Sequence, residues 1–212
     1  MPTALNFTTL QADMQAYLER GGALDTTVAN QLPRLINLAE RGCARDLKIE
    51  GYIIPVTTTL AAGVSTLAKP DRWRDTVSFW YGSGQNRSPI VPRSFEYCRV
   101  YWPDPSQTAA PKFYADYDYN NWLLAPTPDA IYNAEILYYQ LPPLLDSTNT
   151  TNYLTDFAPE MLEYRTFWEM SLFLKNDADA ATWRDKYTAS LGAMSDEDLR
   201  RVRDRGSTRE GA

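Results

Sequence analysis

The apolar positions of the chain change their period twice. Up to Leu47 they recur every three or four residues, between Tyr52 and Gln140 strand-like stretches take over, and from Pro159 the helical spacing returns. Leu10, Met14, Tyr17 and Leu18 line one face of a first helix. Thr8 is its expected N-cap, Gln11 completes a capping box, and Gly21-Gly22 ends it. Thr26 or Thr27 caps a short helical piece. Pro33, tolerated only near a helix start, then opens a second main helix that runs to about Leu47. The spacing buries Leu35, Ile36, Ala39, Cys43 and Leu47 and turns Glu40, Arg41, Arg45 and Asp46 toward water or a partner.

Tyr153 to Phe157 predicts a helical turn, and Pro159 starts a third helix with Leu162, Arg165, Trp168, Glu169, Leu172 and Phe173 marking its register. Its apolar members face the first helix pair, while Arg165 and Glu169 stand four apart and can pair. Asp177 or Asp179 caps a fourth helix whose inner face is Trp183, Tyr187, Leu191 and Met194, weakened near its end by Gly192. Trp168 and Trp183 read as core. Ser195 and Asp198 form a capping box from which a further helix can start.

Between these helices the text is β. Tyr52 to Leu60 is rich in β-branched residues, with Pro55 placing it at an edge or a bulge. Val64 to Leu67 and Thr76 to Tyr81 are further strands, Gly82 to Ser88 is a hairpin tip, and Ser94 caps a short helix through Trp102. The run from Lys112 to Leu145 predicts three short antiparallel strands. In the first, Phe113, Ala115, Tyr117 and Tyr119 share a face; the second is Trp122 to Ala125; in the third, Tyr132, Ala134, Ile136 and Tyr138 form the apolar face. The fold class is α+β: an antiparallel helical bundle of N- and C-terminal helices (1–50 and 150–194), an inserted antiparallel β domain (51–149) and an extended C-terminal tail (195–212).

Composition narrows the chemistry. The 212 residues are 44% hydrophobic and 13% aromatic, which is the composition of a folded chain. No apolar run approaches the ~18 residues of a spanning helix, and the N-terminus lacks the layout of a signal peptide, so a cytoplasmic, membrane-free protein is expected. A net charge of −6 argues against wrapping nucleic acid on a broad basic surface. There is no histidine, which removes Ser-His-Asp and Cys-His catalysis and the commonest zinc ligand. Cys43 and Cys98 have no CxxC neighbour and read as buried thiols, and the Gly82-Ser83-Gly84 stretch fits no phosphate-loop spacing. No catalytic residue, metal or cofactor is expected.

Two sharper readings stand beside bland ones. Asp116 and Asp118 share a strand face and imitate the paired carboxylates of a glycosidase, although acids on a solvated strand face are the commoner case. The tyrosine-rich strands read as sheet core and subunit contacts, or as a face that binds a carbohydrate or another protein. From Ser195 to Ala212, five acids balance five arginines and only Leu199 and Val202 are able to bury apolar surface. Such a segment orders against a partner, with Arg200, Arg201, Arg203, Arg205 and Arg209 available to its carboxylates.

The helix text Leu35-Ile36-Asn37-Leu38-Ala39-Glu40-Arg41 leading to Arg45-Asp46-Leu47, the Pro111–Ala115 strand, Leu124-Ala125-Pro126-Thr127-Pro128-Asp129 and Leu137-Tyr138-Tyr139 together resemble the head-to-tail adaptor (connector) proteins of short-tailed bacteriophages. Asn149 to Leu154, and Trp183 with Tyr187, extend the likeness over most of Leu32 to Leu191. The resemblance implies a virion protein, assembled in the host cytoplasm, whose twelve copies form a ring below the portal. That ring would contact its neighbouring copies, the portal protein ring and the next tail component (nozzle or tail tube), and would let genomic DNA pass without specific binding. By position, the portal contact falls on Leu199, Arg200, Arg201, Val202, Arg203, Arg205 and Arg209.

Overall fold

The computed structural model describes residues 4–18, 26–47 and 50–207, with Glu50 and the last seven described by backbone alone. Gly21-Gly22 and Arg209 lie outside the described residues. The chain divides into two compact units, Ile53–Gln140 and the flanking segments that end at Tyr52 and resume at Leu141.

The flanking unit is helical. It comprises α1 (Phe7–Leu18), the short α2 (Thr26–Ala29), α3 (Leu32–Asp46), α5 (Tyr153–Phe157), α6 (Pro159–Phe173) and α7 (Asp177–Ser207). The N-cap of α1 is Asn6, not Thr8. Its Oδ1 accepts the N–H groups of Thr8 and Thr9, and Thr9 Oγ1 accepts the Asn6 N–H in return. Pro33 lies in the first turn of α3, and Leu35, Ile36, Ala39, Cys43 and Leu47 are all buried. Arg41, Arg45 and Asp46 are exposed, but Glu40 is fully buried, contrary to the helical pattern. Helix α6 departs from its expected face as well. Met161, Leu162, Thr166, Phe167 and Met170 are buried, Trp168 is half-buried, and Leu172 and Phe173 at its C-terminal end are exposed.

Aromatic packing holds α7 to this unit. Trp183 stacks on Phe167 at 4.8 Å and meets Tyr17 edge-on at 5.8 Å. Its inward stripe of Ala180, Trp183, Tyr187, Leu191 and Met194 follows the expected spacing, with Ala180 and Tyr187 buried and the others half-buried. No helix break occurs at Ser195: α7 runs through it to Ser207. A Ser-x-x-Asp sequence permits an N-terminus but does not impose one when the preceding turn is already helical and anchored.

In the central unit, β1 (Ile53–Leu60), β8 (Tyr132–Gln140), β3 (Trp73–Ser83) and β4 (Asn86–Pro89) form one antiparallel sheet in the order β1-β8-β3-β4. The second sheet has the order β2 (Thr66–Ala68), β7 (Asn121–Ala125), β6 (Phe113–Asp116), β5 (Val91–Pro92). The three strands read from Lys112 to Leu145 therefore do not form one meander. Strands β6 and β7 make a hairpin, and the chain then crosses to the other sheet for β8. Nor is the unit wholly antiparallel, because β5 and β6 run parallel. Helix α4 (Phe95–Tyr101) lies between them in the chain and supplies the crossover that a parallel pair requires.

Alternation explains how three layers share one strand. Trp122 and Leu124 of β7 join Leu60, Phe79, Tyr114, Ala134 and Ile136 in the core between the sheets. Leu123 and Ala125 point the other way and pack with Cys98, Phe95 and Trp102 of the α4 region. Ser94 caps α4 as expected, accepting the Tyr97 N–H. Strand β6 stops at Asp116, so Tyr117 and Tyr119 lie beyond it, and Tyr119 is 89% exposed at the hairpin tip.

Candidate functional site

The candidate contact region is the C-terminal half of α7. Its root is fixed by polar groups on α3 and α6. Tyr187 donates its hydroxyl to Asp46 Oδ2 at 2.8 Å, and burial together with Asp46 pushes that phenol's pKa up. Arg165 pairs with Glu169 at 2.9 Å and lays its guanidinium over Trp168 at 4.1 Å and Tyr187 at 5.2 Å. Cys43 is buried in the same region and its thiol is pushed up to about 12, chiefly by burial, which makes it chemically inert.

Farther along, the anchoring thins. Ser195, Asp198 and Leu199 line a cavity of about 450 Å³ with Asp46, Leu47, Thr188, Leu191 and Gly192. Leu199 is 52% exposed and Arg200 is exposed. Arg201, Val202, Arg203 and Arg205 are placed by the helical backbone alone. An α-helix of 31 residues spans about 46 Å, so α7 is long for a unit of this size.

A second candidate contact region is the face carrying α4. Val100 is 82% exposed, with Tyr97 and Tyr101 beside it, their rings 6.1 Å apart and nearly parallel. Arg93 lies over Tyr97 and Phe113, and Arg99 over Phe95. Exposed aromatic rings flanked by arginine are the composition that protein interfaces favour. Helical spacing exposes these side chains together, and the sequence reading did not single them out.

Asp116 and Asp118 are engaged in separate structural contacts. Asp116 is bound by Lys69 at 2.7 Å. Asp118 caps the hairpin turn, accepting the N–H groups of Asn120 and Asn121 and the Asn121 side-chain amide. Those hydrogen bonds hold its carboxyl below the usual range, whereas a general acid requires a raised one. Among the described residues no group of His, Cys, Asp and Glu side chains is arranged to hold a metal ion, and no helix is long and apolar enough to cross a membrane.

The protein is a helical unit with an inserted two-sheet unit that exposes aromatic and apolar side chains on α4. The chain matches the SU10 adaptor protein family over residues 5–210 and belongs to it. It is thus a structural adaptor of a bacteriophage, as the sequence resemblance implied. No curated protein matches the chain significantly.

Proposed function

We propose that this protein forms the adaptor ring between the portal and the tail of its particle, in twelve copies that extend the channel through which DNA leaves. Family membership across nearly the whole chain carries this reading. In it, residues 1–50 and 150–194 are the bundle body, 51–149 the β domain, and 195–212 the segment that reaches the portal. Leu199, Arg200, Arg201, Val202, Arg203, Arg205 and Arg209 are the portal contacts, with the arginines pairing portal carboxylates. Neighbouring copies and the next tail component meet the remaining surfaces.

Three features support the reading. Helix α7 outruns its own anchoring stripe, which ends at Met194. The α4 face has interface composition. A net charge of −6 per subunit, repeated around a channel, repels DNA from the wall. Native mass spectrometry of the protein, alone and mixed with the portal ring of the same particle, tests it. Twelve copies per portal ring is the expected result. A protein that ignores the portal and stays a monomer or a trimer overturns it.

A further inference from the structure

We propose that the outer face of the β1-β8-β3-β4 sheet binds a neutral oligosaccharide, with the Trp80 indole as its stacking platform. The argument starts from register. Phe79 and Ile136 pair across β3 and β8 and point into the core, so their chain neighbours point outward. Thr57, Glu135, Trp80 and Pro89 then form one row across all four strands on the outer face. Trp80 is 40% exposed, and among the described residues no other ring packs on it, unlike the clustered aromatics of the core.

The surroundings of that indole are polar and nearly neutral. Arg87 pairs with Glu135 at 2.9 Å, with both side chains partly exposed, so the fixed charges beside Trp80 cancel while their remaining donor and acceptor sites stay in reach of a ligand. One hollow of about 330 Å³ is lined by Ser78, Trp80, Arg87, Glu135 and Leu137. Another of about 430 Å³ shares Arg87 and Glu135 and adds the Thr57 and Thr59 hydroxyls and the Asn133 amide. Gly82 of β3 lines it as well. A Cβ there would collide with the Asn86 carbonyl at 2.0 Å, and φ is +101°.

This combination selects the ligand class. The cancelled ion pair gives no attraction for phosphate or for a polyanion, which disfavours nucleic acid. Hydroxyl, amide, guanidinium and carboxylate groups around one exposed ring match a polyhydroxylated ligand with one apolar face, which is the chemistry of a pyranose. Two hollows with a common wall give room for more than one sugar ring, and their volumes are those of ligand clefts. An oligosaccharide chain is therefore preferred over a free monosaccharide.

Isothermal titration calorimetry of the full chain tests this. The probes are neutral oligomers of glucose, galactose, N-acetylglucosamine and rhamnose, each beside its monosaccharide. At least one oligomer should bind in the micromolar to millimolar range and more tightly than its monosaccharide. Trp80→Ala should weaken it by about tenfold or more. Asn133→Ala, on an exposed position, should weaken it several-fold, with circular dichroism and melting unchanged. Silence of the whole panel, equal binding of the monosaccharides, or full affinity in Trp80→Ala would each overturn the proposal. Loss of portal loading in Trp80→Ala without any sugar binding would also overturn it, by reassigning the face to protein contact. Portal loading retained beside sugar binding is the expected pattern, so the assembly reading and this one can fail separately.

Discussion

Glu40 Oε2 accepts the backbone N–H of Leu145 at 2.9 Å, across 105 positions of sequence. The other carboxylate oxygen accepts the side-chain amide of Asn152, which in turn caps α5 with both halves of a capping box in place. One buried acid thus ties α3 to the segment that leads into α5 and α6.

That burial sets a pH dependence. Desolvation raises the Glu40 carboxyl from 4.5 to about 7, outweighing the two hydrogen bonds and the Arg41 charge that favour ionisation; nearby Asp146 acts in the same direction as burial. The folded state therefore binds more protons than the unfolded chain between those values. The stabilising contribution is complete below pH 4.5 and is lost as pH rises through about 7, amounting to about 3 kcal/mol. Melting temperatures measured from pH 5 to 8.5 should fall with pH through this group. Glu40→Gln should flatten that component of the slope; an unchanged slope would assign it elsewhere.

The cap of α1 separates two readings of the same sequence. Asn6 and Thr8 are both able to cap, but the hydrogen bonds converge on Asn6. Asn6→Ala should cost about 1 kcal/mol in denaturant unfolding, and Thr8→Ala, an exposed position, no more than about 0.5 kcal/mol. The reverse order would restore Thr8 as the cap.

What was legible in the sequence was what depends on near neighbours. The apolar stripe of α3, the Ser94 cap, the Arg165–Glu169 pair and the inward face of β8 all follow from spacing over a few residues. Burial of Glu40 was not legible, because both of its partners come from more than 100 residues away. Sheet membership failed for the same reason: alternation places Ile136 on a face but does not say which sheet β8 joins. The Trp80 groove was hidden because β3 carries aromatic residues on both faces, with Phe79 and Tyr81 masking the outward Trp80. The C-terminal arginines were singled out by position and composition, and the continuous α7 gives them a helical rather than an extended backbone through Arg205.

Tryptophans should differ by depth. Trp122 is fully buried at the centre of the inter-sheet core, against Trp73, Phe79 and Tyr114. Trp122→Ala should cost about 3–5 kcal/mol. Trp183 is half-buried, and Trp183→Ala should cost about half as much, because less of the ring leaves a cavity behind. Chemical denaturation of the two variants under one set of conditions measures the order.

Removing Ser195–Ala212 should abolish portal attachment while lowering thermal stability little. The deleted helix carries no residue of the Trp183–Tyr187 anchor and few apolar side chains. Co-sedimentation with portal rings and a melting curve read the two effects separately. Normal attachment by the truncated chain would remove the segment from the portal contact.

Gly42 and Gly192 should respond to the same substitution with opposite signs. A Cβ on Gly42 would lie 2.7 Å from Arg165 Nε, and that guanidinium is held by Glu169, Trp168 and Tyr187, so it has little freedom to withdraw. Gly42→Ala should therefore destabilise by about 1–3 kcal/mol, the usual range for overpacking. A Cβ on Gly192 meets nothing within 4 Å, and the residue is exposed on α7. There Gly192→Ala removes only the backbone entropy cost of glycine, and should stabilise by about 0.5–1 kcal/mol and raise the helicity of α7. Equal effects at the two sites, in either direction, would mean that the Arg165 cluster does not constrain α3 as the distances indicate.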